Sequence, residues 1–172
     1  MEIQLLVIII IMIACSAFFS ASETALTGAN RIRLKSMAEN GSKGAKMALK
    51  LLDRYDKVIT TILIGNNIVN ITASSLGTIL ATAVVGADNA ALVSTVVLTL
   101  VILTFGEVMP KSLAKDHSEG LTVATSGIIT FLTFIFTPLS ALFILLKKLA
   151  NKLFGNKTVS YTHLTLPTNR EV

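Results

Sequence analysis

Ser16, Ser20, Glu23 and Thr27 follow one another at offsets of four, three and four. On a helix that spacing places three hydroxyls and a carboxylate on one face. They occupy the end of an apolar run, "IACSAFFSASETALTG", so oxygen donors are carried into a segment that reads as membrane-embedded. A second row lies in "LIGNNIVNITASS", where Asn67, Asn70 and Ser74 are offset by three and four, with Asn66 flanking. Glu107, in "LTFGEVMPK", comes three residues before Pro110. Polar groups at membrane depth are costly and tend to face a bundle interior or a water-filled cavity. Single serines and threonines are ordinary there, because they bond back to their own helix or pack small against a neighbour. Three asparagines within five positions are harder to place. So is an embedded Glu107, since a lone carboxylate in hydrocarbon must take up a proton or meet a cation.

Pro110 has no N–H, so the carbonyl four residues back, that of Gly106, loses its helical partner beside Glu107. Pro110 either ends its span at the interface or breaks the helix at depth, and broken backbone at depth lines a cavity or a ligand site. Ser16, Ser20, Asn67, Asn70, the Gly106 carbonyl and Glu107 together offer six oxygen donors. Near-octahedral oxygen coordination is what Mg²⁺ requires. A single negative charge for a divalent ion implies weak to moderate binding, which suits transport. The apolar windows hold no His, and Cys15 is the only thiol, which argues against a Zn²⁺, Cu or Fe site. A lone cysteine also leaves no disulfide framework. "MIAC" loosely resembles a lipoprotein cleavage site, but no basic residue precedes it.

The elements that must position these donors follow from composition. The chain has 172 residues, 52% hydrophobic and 15% charged, with mean hydropathy +0.73. That is a membrane composition. Four windows carry no charge: Ile3–Ser22, Val58–Ala87, Asn89–Gly106 and Leu121–Leu146. Each is long enough, or nearly so, to cross a hydrocarbon core of about 30 Å. Arg31, Arg33, Lys35, Lys43, Lys46, Lys50, Arg54 and Lys57 fall between the first two windows, and Lys111 and Lys115 follow the third. The turn "GADNA" has no basic residue. Positive charge marks the cytoplasmic side, so the N-terminus and this turn are expected outside and the C-terminus inside. Basic residues beside spans speak for topology and anionic lipid rather than nucleic acid.

The basic stretch reads as two short helices broken at Asn40-Gly41, lying on the inner membrane surface or forming a solvated hairpin. Were Leu121–Leu146 a span, Lys147, Lys148 and Lys152 would lie outside, against the charge rule. With its many threonines and Pro138, it reads instead as a bent helix pair, re-entrant or in the inner interface. The expected fold is an all-α membrane protein. Three transmembrane helices run over about 4–27, 58–85 and 90–109, with amphipathic cytoplasmic-side helices in 30–56 and a juxtamembrane belt in 118–154. Residues 1–157 form one domain; 158–172 look like a non-native tail, so Tyr161 and His163 receive no role.

"SAFFSASETALTGANRIRLKSMAENG", "KVITTILIGNNIVNITASS" and "VILTFGEVMPKSLA", in that order, resemble the transmembrane domain of the CorB/CorC and cyclin M (CNNM) family over about residues 5–155. The resemblance implies a homodimer in the inner cell membrane that exports Mg²⁺, with Na⁺ as the proposed exchange ion. It implies Ser20, Asn67 and Glu107 as ligands with Ser16 and Asn70 nearby, and a structural or gating role for Glu23. It also implies cytoplasmic CBS domains that bind ATP, which this sequence does not include. The alternative is a non-transporting Mg²⁺ sensor or scaffold whose polar rows only hold helices together. An intramembrane enzyme is disfavoured, since the spans contain no Ser–His or Asp–Asp arrangement.

Overall fold

The computed structural model describes residues 2–139 together with 142, 143, 145, 146 and 149. The 158–172 tail and the lysines at 147, 148 and 152 lie outside the described residues. Helix α1 runs unbroken over Glu2–Gly28. The basic stretch forms α2, Arg31–Glu39, and α3, Lys43–Leu52. Asn30 Oδ1 caps α2 by accepting from the N–H groups of Ile32 at 2.9 Å and Arg33 at 3.3 Å. Ser42 Oγ caps α3 by accepting from Ala45 N–H at 3.2 Å. These caps satisfy donors that have no partner inside a helix. The break falls where the sequence places it, at Asn40-Gly41, with Gly41 at φ +93°.

Helix α4 spans Tyr55–Val85, and Gly86, at φ +83°, turns the chain into α5, Ala87–Val101. Only glycine takes that backbone conformation without strain. The third long helix does not end at Pro110. A π-helical segment, Ile102–Val108, follows α5 directly and leads into α6, Met109–Asp116, so the helical rod continues from Ala87 to Asp116. Met109 N–H bonds the Thr104 carbonyl five residues back. The register change puts Pro110 in the first turn of α6, where a missing N–H removes no needed bond. The helix therefore continues through the proline.

Helix α7 covers Ser118–Ile135, and a turn at Phe136 separates it from further helix beginning at 137, which is the expected bend. By length and composition four helices can cross a membrane among the described residues, not three, and α7 is the addition. Its 18 residues rise about 27 Å. Its threonines do not spoil the apolar character, because Thr122, Thr125, Thr130 and Thr133 each donate to the carbonyl four residues earlier. α7 packs on α3 and on α1, with Ser118 beside Gly28 and Val123 beside Gly44.

α1 packs against α4, the π segment and α6, and α4 packs against α5. The interior mixes apolar residues with buried hydroxyls, while large apolar side chains cover the outside. Ile3, Ile71, Leu92 and Phe134 are exposed while Ser16, Ser20 and Ser126 are fully buried. Lipid tails are as apolar as Leu, so burial selects small residues and hydroxyls that let helices approach. Two apolar clusters form on either side of the polar residues. Ile9, Ala73, Leu98 and Ile102 make one. Phe19, Leu26, Leu51, Val58, Ile62 and Ile129 make the other, at the end that carries α2 and α3. Gly65 lets α4 meet Phe19: an added Cβ would come within 2.4 Å of the Phe19 ring. Gly65→Ala is expected to destabilise the bundle by about 1–3 kcal/mol through overpacking, seen as a lower unfolding midpoint in detergent.

Candidate metal site

Between the two clusters, α1, α4 and the π segment bring oxygen atoms together. Ser16 Oγ donates to Asn66 Oδ1 at 3.0 Å and lies 3.5 Å from the Gly106 carbonyl oxygen. One hydroxyl proton serves one acceptor at a time, and the shorter contact takes it. Gly106 is buried, and a Cβ there would come within 2.9 Å of Ser16 Oγ, so only glycine permits this approach.

On the same side, Asn70 Nδ2 donates to Glu107 Oε1 at 3.3 Å, joining α4 to the π segment. Asn70 Oδ1 and Ser20 Oγ are buried and make no hydrogen bond among the described residues. Unsatisfied buried oxygens are uncommon and costly. Here they lie on the two helices that contact the π segment at the Gly106 carbonyl and the Glu107 carboxylate. Ser22 Oγ is also buried without a bond, but it lies two residues, roughly 200°, beyond Ser20 on α1 and so points elsewhere.

Of the six residues proposed from sequence, Ser16, Ser20, Asn70, Gly106 and Glu107 are placed along these facing helices. Asn67 is not brought into this hydrogen-bonded set. It is exposed and lines an outer cavity of about 980 Å³ with Arg54, Lys57, Thr60 and Leu63. Asn66, which flanks the polar row in sequence, is the asparagine bonded to Ser16. A signal for this choice existed. Small residues Gly65, Ala73 and Gly77 mark the packed face of α4. Counted from Gly65 at about 100° per residue, Asn66 borders that face and Asn67 lies across the helix from it.

The row on α1 divides below Ser20. Glu23 Oε2 accepts an ion pair from Lys111 Nζ at 3.2 Å, and Thr27 Oγ1 shares a 3.0 Å hydrogen bond with Tyr55 OH. Neither Lys111 nor Tyr55 was singled out in the sequence as a partner for this row. Other ion pairs tie the basic helices in place, Arg31 to Asp53 and Arg33 to Glu119. Among the described residues no three His, Cys, Asp or Glu side chains gather, so a metal between the spans would be held by neutral oxygens around Glu107.

Residues 7–167 match the family described as the cyclin M transmembrane N-terminal domain. A UPF0053 protein of Haemophilus influenzae is 41% identical over 153 residues, which is 89% of this chain and 36% of that protein. The UPF0053 inner membrane protein YfjD of Escherichia coli is 41% identical over 143 residues, 83% of this chain and 33% of that protein. A protein of Haemophilus influenzae named polyamine export protein is 26% identical over 169 residues, 91% of this chain and 39% of that protein. The chain thus spans about a third of the length of the curated relatives it matches. With polar motifs, helix order and a match over nearly its whole length in agreement, the chain belongs to the cyclin M transmembrane domain family.

Proposed function

We propose that the chain is the membrane core of a Mg²⁺ efflux transporter. It would work as a homodimer in the inner membrane, with Na⁺ as the exchange ion. The observation that carries this reading is the pair of buried, unbonded oxygens, Ser20 Oγ and Asn70 Oδ1, on the two helices that contact the π segment at Gly106 and Glu107. Ser16 and Asn66 complete a set of hard oxygen donors, the type Mg²⁺ accepts. A dehydrated divalent ion meeting one carboxylate keeps net positive charge in the site. Binding is then weak enough for release. Asn70 holds Glu107 by one oxygen, leaving the other carboxylate oxygen for the ion. The basic residues of α2 and α3, with Lys111 and Lys115, support placing that end of the bundle in the cytoplasm.

One relative is named for polyamine export. A polyamine is a long cation that needs carboxylates or aromatic faces spaced along its length. Here the donors converge around a single carboxylate, which favours a small ion. The test is flux from Mg²⁺-loaded liposomes with and without a Na⁺ gradient. Mg²⁺ movement that external polyamine does not inhibit is expected. Absence of any Mg²⁺ flux or binding would leave the polar rows as helix contacts in a scaffold or sensor.

A further inference from the structure

Glu23 and Lys111 lie one turn beyond the donors just described, on both helices that carry them. From Ser20 to Glu23 α1 advances three residues, about 4.5 Å, and from Glu107 to Lys111 the helix advances four, about 6 Å. Both steps lead toward the end of the bundle that bears the basic helices. There a cavity of about 550 Å³ is lined by Glu23, Thr24, Thr27, Lys111, Lys115 and Ser118. The Lys111 ammonium sits 3.2 Å from Glu23 Oε2, and both side chains keep contact with solvent, at 42% and 26% exposure.

We infer that Glu23 forms a second, outlying divalent-cation site, a waiting position for the ion, and that Lys111 is a tethered cation that occupies it when no ion is present. The inference rests on reading the deeper oxygens as a cation site. An ammonium and a metal ion compete for the same carboxylate lone pairs, and a half-exposed pair is weak enough to exchange. Threonine hydroxyls at Thr24 and Thr27 and the water of an open cavity supply the remaining oxygens of a partly hydrated ion. When the ion takes Glu23, the Lys111 side chain swings into the vestibule. When the ion moves one turn inward to Glu107, Lys111 returns and its positive charge opposes backflow. Lys115, on the same cavity wall, adds a second positive charge that keeps affinity at Glu23 low.

The test uses the whole chain in nanodiscs with Mn²⁺ as a paramagnetic probe for a hard divalent ion, bound Mn²⁺ being counted by EPR. Lys111→Met is expected to add one Mn²⁺ per chain, or to tighten the weaker of two, by roughly threefold or more, the scale of one exposed ion pair. Lys111→Arg should behave as wild type, and adding Glu23→Gln to Lys111→Met should remove the extra ion. Lys111→Met with wild-type stoichiometry and affinity overturns the inference, as does a gain that survives Glu23→Gln. The deeper site is read separately by Glu107→Gln. If that substitution changes no Mn²⁺ binding while the Glu23-dependent ion appears, the transport site assignment fails and the outlying site stands.

Discussion

Glu107→Gln is expected to lower Mg²⁺ efflux by roughly two orders of magnitude, the effect of removing the half-buried carboxylate that would face the ion. Glu107 is the one carboxylate that the π segment presents to α4, and Asn70 Nδ2 already contacts it at 3.3 Å. Glutamine preserves the shape and can keep a contact to Asn70, so helix packing should survive. What it removes is the negative charge that offsets dehydration of a divalent ion. Flux from loaded liposomes, compared with wild type at equal insertion and equal helix content, measures this. Near-normal flux would mean that neutral oxygens suffice and that Glu107 is not a ligand.

Asn66→Ala and Asn67→Ala should part company. Loss of Asn66 removes a donor oxygen and leaves the Ser16 hydroxyl without its 3.0 Å acceptor. The Ser16 hydroxyl then turns to the Gly106 carbonyl at 3.5 Å, and the lost oxygen costs about 1–3 kcal/mol, or roughly ten- to a hundredfold in apparent affinity. Asn67 faces the outer cavity, so its replacement should change apparent affinity by less than about twofold, within the range of an exposed substitution. Half-saturating Mg²⁺ in the same liposome assay reads both. Equal losses from the two variants would show that the face of α4 turned to α1 is not the face that meets the ion.

Much of this was legible from residue order. The break at Asn40-Gly41 and the turn that opens at Gly86 act through the nearest few residues, so local sequence suffices to find them. Hydroxyl rows were legible only as rows. Thr60, Thr72, Thr122 and Thr133 look like Ser16 in sequence, yet they bond to their own helices while Ser16 bonds across to α4. The difference is a neighbour fifty positions away, which no local pattern contains.

Composition and charge alone determined that the chain is a helical membrane protein. They also located its apolar windows, its basic end and the oxygen donors on three of its helices. Those properties depend on single residues and on a period of 3.6. Tertiary structure decided the rest. It set Asn66 against Ser16 and Asn67 on the exposed side of α4, because the helix packs with Gly65 turned to Phe19. It carried the third helix past Pro110, because a π register moves the missing N–H into a first turn. It admitted α7 as a fourth helix able to span, and it joined Glu23 to Lys111 across helices that only packing brings side by side.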